Sequence, residues 1–290
     1  MVHLIVNPTA GNGRALRIGK EMATLLVERD IPHVLSMTEG PGHATSLARD
    51  AVSAGADTVA GVGGDGTICE VARGVLGTKA ALGIIPGGTG NDLAKALDIP
   101  AKPAAALLHM LEKPARPLDA GQVNGLLFLN ACGMGFDACV LAHTLSAKKY
   151  ARGMLPYLWG VLCAILAYRS LELTIAVDNE PPVTKKLMMV AAANGRYIGG
   201  GMKIAPDAEP DDGFFDLLLL DHMPNWKMLP QFIKMLRGRI LEIPGITIRH
   251  CRRLCVSSPA GKLILNLDGE IVPVESASMQ ALPVALMAHW

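Results

Sequence analysis

A strong net charge is missing. Lysine and arginine number 27 against 26 aspartates and glutamates in 290 residues, a net charge of +1, so no broad field steers the chain toward nucleic acid and none is expected as a partner. The six cysteines contain no C-x-x-C pair. A chain of this size needs no disulfide scaffold, which points to reduced, mostly buried thiols in a cytoplasmic protein. The opening MVHLIVNP has no basic stretch leading into a long apolar one, so no signal peptide is expected. The longest apolar run, Gly153 to Tyr168, is shorter than the ~20 residues of a membrane span and holds Pro156 and Gly160. It fits a buried or surface-attached helix, and the basic SAKKYAR before it suits either anionic headgroups or a solvated turn. Tandem repeats and low-complexity tracts are absent. So is G-x-x-x-x-G-K-[ST], which excludes a Walker P-loop, and no G-x-G-x-x-G follows the first strand-like run, VHLIV.

Half of the residues are hydrophobic, ample for two cores, and the length exceeds the ~100–200 residues usual for one domain. VHLIV, HVLSMT, DTVAGV and ALGIIP are strand-like. Between them lie helical patterns, among them one carrying Leu16, Ile18, Met22, Ala23, Leu25 and Leu26, and another carrying Ala44, Leu47, Ala48, Ala51 and Val52. Such alternation predicts an N-terminal α/β lobe with a mainly parallel sheet. Four polar or glycine-rich loops, Asn7–Gly13, Thr38–His43, Gly63–Thr67 and Gly87–Asp92, each follow a strand and so converge on the edge where such sheets bind ligands. After about Leu118 short strand-like runs dominate, with helical pattern confined to Leu141–Tyr168 and Trp226–Leu241, which predicts a β-rich antiparallel second lobe. The expected division is 1–118 joined by 277–290, and 119–276, with EKPARP (Glu112–Pro117) as a hinge.

The chemistry sits in the loops. In GGDGT, glycines let backbone amides approach an anion and the following helix offers the positive end of its dipole. Asp65 in the middle would repel bare phosphate, so it makes sense beside Mg²⁺, or else as a turn or capping acid. In LNLDGE, Asp268 and Glu270 face one way if the strand is extended, unless Gly269 bends it. PDAEPDDGFFD crowds five acids into a short stretch without EF-hand spacing. His43 and His143 lack partners at metal spacing and suit capping, packing or solvent.

Together NPTAG, Thr38 with GHATSLA, GGDGTICEV and IPGGTGNDLA, followed by NACGMGFDA, NGRYIGGGMKIAPDAEPDDGFFD and LNLDGE, resemble the diacylglycerol kinase catalytic-domain family, which includes bacterial lipid kinases and sphingosine and ceramide kinases. The resemblance implies a first lobe related to NAD kinases and phosphofructokinases. It also implies transfer of the γ-phosphoryl group of ATP to the hydroxyl of diacylglycerol or a related lipid alcohol. Asn7, Pro8, Thr9, Ala10, Gly11, Thr38, Gly63, Gly64, Asp65, Gly66, Thr67 and Thr89 would then line the nucleotide, with Asp65 acting through Mg²⁺. Asp268 or Glu270 would be the general base, Asp268 alternatively serving the metal and its water network. A structural Mg²⁺ would be held at Asp212 with Glu209 and Phe214. The expected setting is cytoplasmic and peripheral at the inner membrane surface, with transient membrane contact and an oligomeric state left open, a homodimer included. Two other readings remain: a nucleotide-regulated lipid-binding protein with little turnover, and an NAD kinase, which shares GGDGT but not PGGTGNDLA.

Overall fold

The computed structural model describes residues 1–147, 150 and 155–290, so most of SAKKYAR and the first residues of the long apolar run lie outside the described residues. The chain divides into two compact units, Met1–Ala120 with Pro283–Trp290, and Gly121–Leu282.

In the first unit strands and helices alternate: β1 (Val2–Val6), α1 (Arg14–Val27), β2 (His33–Met37), α2 (His43–Ser53), β3 (Thr58–Gly63), α3 (Asp65–Val75), β4 (Ala81–Pro86), α4 (Asp92–Ala96) and α5 (Pro103–Glu112). The sheet is parallel. Val2 pairs with His33 on one side and Thr58 on the other, and Thr58 with Ala81. Strands β1, β3 and β4 are buried throughout, which is why they read as unbroken apolar runs rather than alternating ones. On α1 the buried stripe is Ala15, Ile18, Gly19, Met22 and Leu26, rotated slightly from the sequence pattern, so that Leu16, Ala23 and Leu25 flank the contact. Helix α5 was not expected; it follows a proline at its first turn, where proline's fixed φ suits a helix start.

Helices α2 and α3 touch at small residues. A Cβ on Gly74 would stand 2.4 Å from the Ala48 Cβ and 2.7 Å from the Thr45 carbonyl oxygen. Alanine is the better helix former by about 1 kcal/mol, but forcing these backbones apart costs about 1–3 kcal/mol. Gly74→Ala is therefore expected to lower the denaturant midpoint in an unfolding titration, against the helix-propensity trend.

The second unit is built on antiparallel strands: the end of β5 (Ala115–Val123), β6 (Leu126–Phe128), β7 (Ala131–Gly135), then α6 (Phe136–Ala147), α7 (Leu155–Ala167), β8 (Leu171–Val177), β9 (Val183–Ala193), β10 (Tyr197–Ile198), β11 (Met202–Lys203), β12 (Phe215–Asp221), α8 (Met228–Leu236), β13 (Ile246–Cys251), β14 (Arg253–Ser257), β15 (Leu263–Leu267), β16 (Glu270–Val274) and β17 (Ser276–His289). Its strands run in the order β16-β15-β7-β9-β8-β14-β17, with β12 and β13 branching from β9. The far end of β17 belongs to the first unit, where Met287 pairs in parallel with Ala81. Along β9, Met189, Ala191 and Ala193 pack in the cluster with α6, α7 and α8, while Val190 and Ala192 pack in the opposite one. Both faces are covered, so LMMVAAA is apolar without a break.

Several boundaries differ from the sequence reading. ITIRHCRRLCVSS is two strands broken at Arg252, the helical residues described within Leu141–Tyr168 belong to α6 and α7, and the second helical pattern narrows to α8 between single 3-10 turns. The stretch read as a hinge carries the end of α5 and the start of β5.

Candidate functional site

The first unit gathers its loops where β1, β2, β3 and β4 end. Gly87 and Gly88 both donate their amides to the Gly63 carbonyl, at 2.7 and 3.0 Å. A Cβ on Gly88 would lie 2.4 Å from the Gly64 Cα, and one on Gly11, whose φ is +59°, would lie 2.3 Å from the Gly87 oxygen. Three loops are thus in backbone contact, which only glycine permits. Side chains tie the same loops together. Asn7 Nδ2 donates to Thr67 Oγ1 at 3.1 Å, and Asn7 Oδ1 accepts from the amide and hydroxyl of Thr9. Asn91 closes a ring on Gly88, accepting its amide and donating to its carbonyl.

Helices α1, α3 and α4 start at Gly13, Gly64 and Asn91, none of which caps its helix with its own side chain, and at the start of α1 the Arg14 and Ala15 amides donate to the Gly11 and Ala10 carbonyls at 3.3 and 3.2 Å. The start of α3 behind Gly64, beside close-packed glycines, forms a cradle suited to phosphate oxygens. Asp65 opens α3 and its Oδ1 accepts the Leu93 amide of α4 at 3.2 Å. The acid therefore caps a neighbouring helix, and as a carboxylate at the mouth of an anion cradle its charge suits a divalent cation. The donor set fits a nucleotide phosphate with Mg²⁺.

The other positions carried over from the resemblance are spread around this edge. Gly63 and Thr67 are buried, Pro8, Ala10, Gly11, Gly64 and Gly66 half-buried, and Thr9 and Thr89 exposed. Thr38 is buried and donates its amide to the Val6 carbonyl at 2.9 Å. His43, the first residue of α2, accepts the Glu39 amide of the preceding loop on Nδ1. Glu70 was not singled out from sequence: its Oε2 accepts the Ala44 amide and so caps α2 from α3.

In the second unit Asp268 and Gly269 are the two central residues of the β15–β16 hairpin, with φ of +47° and +89°. This is a two-residue turn of the kind Asp-Gly favours. The bend replaces the extended-strand alternative for LNLDGE. The Asp268 carboxylate accepts three consecutive amides, Leu129 at 2.7 Å on Oδ2 and Asn130 and Ala131 at 3.0 and 2.9 Å on Oδ1. Glu270 is exposed and opens β16.

Asn266 links this turn to the start of α6. Its Oδ1 accepts the Gly269 amide and its Nδ2 donates to Asp137 Oδ2 at 3.3 Å. Asp137 is buried, Oδ1 has no hydrogen-bond partner among the described residues, and burial pushes its carboxyl up to about 7, against the hydrogen bonds from the Ala138 amide and Asn266. Sequence reasoning missed this group. A folded-state value above the ordinary 3.8 means the unfolded chain ionises first, so the favourable contribution is full below about pH 4 and lost as pH rises through about 7. Asp137→Asn is expected to match wild-type stability near pH 4 and to exceed it at pH 8, read by thermal unfolding across the series.

The acidic stretch lies between β11 and β12. Asp212 Oδ1 accepts the Phe214 amide at 2.9 Å, Glu209 is exposed, and the Phe214 ring stacks on His250. Asp216 is buried with its carboxyl raised, chiefly by burial, with His250 opposing and Asp212, Asp207 and Glu209 adding. Among the described residues no three His, Cys, Asp or Glu side chains converge as a cation site, so cation binding here would draw on backbone oxygen as well as Asp212. Also among the described residues, no helix is long and apolar enough to cross a membrane.

Residues 1–123 match the family described as "Diacylglycerol kinase catalytic domain", and residues 130–289 match the "YegS C-terminal NAD kinase beta sandwich-like domain". The chain is 32% identical to a protein of Bacillus subtilis named "Diacylglycerol kinase", over 92% of this chain and 88% of the relative. It is 33% identical to a Pseudomonas aeruginosa protein named "Probable lipid kinase YegS-like", over 86% and 81%. A crystal structure described as a diacylglycerol kinase from Bacillus anthracis shares the fold with a TM-score of 0.77, at 22% identity over 100% of this chain and 96% of that one.

Proposed function

The chain belongs to the diacylglycerol kinase catalytic-domain family of lipid kinases, and from that premise we propose that it is an ATP- and Mg²⁺-dependent phosphotransferase acting on the hydroxyl of diacylglycerol or a related lipid alcohol. The observation that carries this reading is the cradle of the first unit: three glycine loops in backbone contact, the start of α3 behind Gly64, and Asp65 opening that helix. Phosphoryl transfer asks a protein mainly for positioning and for charge placed on the phosphate oxygens. The amides of the α3 first turn would hold those oxygens, and the Asn7–Thr67 and Asn7–Thr9 hydrogen bonds would keep the loops in register. Asp65 would hold Mg²⁺, which when bound offsets phosphate charge and polarises the transferring group.

The acceptor hydroxyl must lose a proton, and a carboxylate able to take it has to keep a lone pair exposed. Asp268 spends its oxygens on three amides, which supports a positioning role for it. Glu270, exposed two residues on, is the base in this proposal, and Asn266 and Asp268 set the turn that presents it. Asp212, with Glu209 and the Phe214 segment, would hold a second, structural Mg²⁺.

The test is incubation with labelled ATP, Mg²⁺ and diacylglycerol, phosphatidylglycerol or a sphingoid base in mixed micelles, with NAD as a parallel acceptor. Label in at least one lipid and none in NAD is expected. Label in NAD alone would overturn the reading, and ATP binding with no labelled lipid would favour a binding protein with little turnover.

A further inference from the structure

Two neighbouring helices of the second unit carry apolar residues that nothing among the described residues covers. Helix α7 buries Pro156, Gly160, Val161, Ala164 and Ile165, whereas Leu155, Leu158, Trp159, Leu162 and Leu166 stand on its other side, between 47% and 75% exposed. Helix α8 buries Met228 and Phe232 and exposes Leu229, Ile233 and Leu236; Trp226 just before it is 74% exposed. The helices are joined by the Tyr157 and Phe232 rings, 6.3 Å apart, and by Asn225 Nδ2 donating to the Tyr168 carbonyl at 2.8 Å. Folding alone does not explain two tryptophans and several leucines left in water at helical spacing.

Within the two helical segments the charge has one sign, with Glu242 following α8. Helix α7 holds no charged residue and Arg169 follows it, while the segment from Trp226 to Arg239 carries Lys227, Lys234, Arg237 and Arg239 and no acid. Of these, Arg239 is held by Glu242 and Lys234 Nζ donates to the Glu242 carbonyl, whereas the Lys227 ammonium lies 5.2 Å from the Trp226 ring centroid. Exposed tryptophan and leucine next to lysine and arginine is the composition of a helix lying in the headgroup layer of an anionic bilayer.

We propose that α7 and α8 together form a docking surface for anionic membrane, with Trp159 and Trp226 inserted at the headgroup level. The proposal deepens the lipid-kinase reading and rests on it for its biological purpose. Its physical test is independent. Wild-type protein is expected to sediment with vesicles of mixed phosphatidylglycerol and phosphatidylcholine and to shift its tryptophan emission to the blue, with binding at least tenfold weaker to phosphatidylcholine alone. Leu229→Asp with Ile233→Asp is expected to cut binding at least tenfold, and Lys227→Glu with Arg237→Glu to remove the preference for anionic lipid. Both pairs are exposed, and an unchanged melting temperature confirms that they fold. Each variant should keep turnover on short-chain diacylglycerol dispersed in water and lose it on vesicle-borne substrate. Equal binding by wild type and both variants would overturn the proposal. A concentration-dependent dimer abolished by the Leu229→Asp pair would assign the face to a second copy instead. Vesicle binding without labelled lipid would sink the kinase reading and leave the surface standing, and labelled lipid without vesicle binding would do the reverse.

Discussion

Glu270→Gln is expected to lower kcat by about 10²–10⁴-fold while leaving the melting temperature within a degree or so, because the side chain is exposed and surface substitutions change stability by no more than about 0.5 kcal/mol. Asp268→Ala is expected to fail the other way. It strips the acceptor from the Leu129, Asn130 and Ala131 amides, and amides left without partners cost about 1–3 kcal/mol each when buried. Because the Asp268 side chain is only half-buried, the sum should fall near 3 kcal/mol, or roughly 6–12 °C of melting temperature. Asp268→Asn keeps one oxygen and should sit between. Steady-state phosphorylation and thermal unfolding on the same four proteins check both halves. Retained turnover in Glu270→Gln would remove it as the base, and an unchanged melting temperature in Asp268→Ala would remove the anchoring role.

For Asp65 the informative substitution is asparagine. Asp65→Asn keeps an oxygen for the Leu93 amide, so the α3–α4 connection should survive, and only the negative charge is lost. Metal assistance to a transferring phosphoryl group is worth several kcal/mol. Since each 1.36 kcal/mol is tenfold in rate, turnover should fall by about 10²–10³-fold. The Mg²⁺ concentration needed for half-maximal rate should rise in parallel. Full activity at ordinary Mg²⁺ would leave Asp65 as a helix cap and nothing more.

The order of strands and helices in the first unit is legible because buried parallel strands and one-sided helices leave different periods in the chain, as VHLIV and the α1 stripe do. Helix α5 escapes because Ala104, Ala105 and Ala106 give little contrast between faces. The glycine loops were readable because their chemistry is local: Gly63, Gly64, Gly87 and Gly88 mark close approach in the sequence itself. The work of Asp268 was not readable, since its acceptors engage amides up to 139 positions away. The same holds for Asp137, whose partner Asn266 is 129 positions along the chain. From the sequence the two acids of LNLDGE are equivalent candidates; the hairpin turn separates them into one that is tied and one that is open.

The pairing of Met287 with Ala81 also sets a timetable for biosynthesis. Strand β4 is complete as a segment early in translation, yet the neighbour that covers its outer edge is made about two hundred residues later, on the order of ten to forty seconds at typical elongation rates. During that interval the nascent first unit presents an unpaired, fully apolar strand, the kind of edge that recruits other chains. Products ending before residue 287 should therefore aggregate more readily than the 290-residue chain.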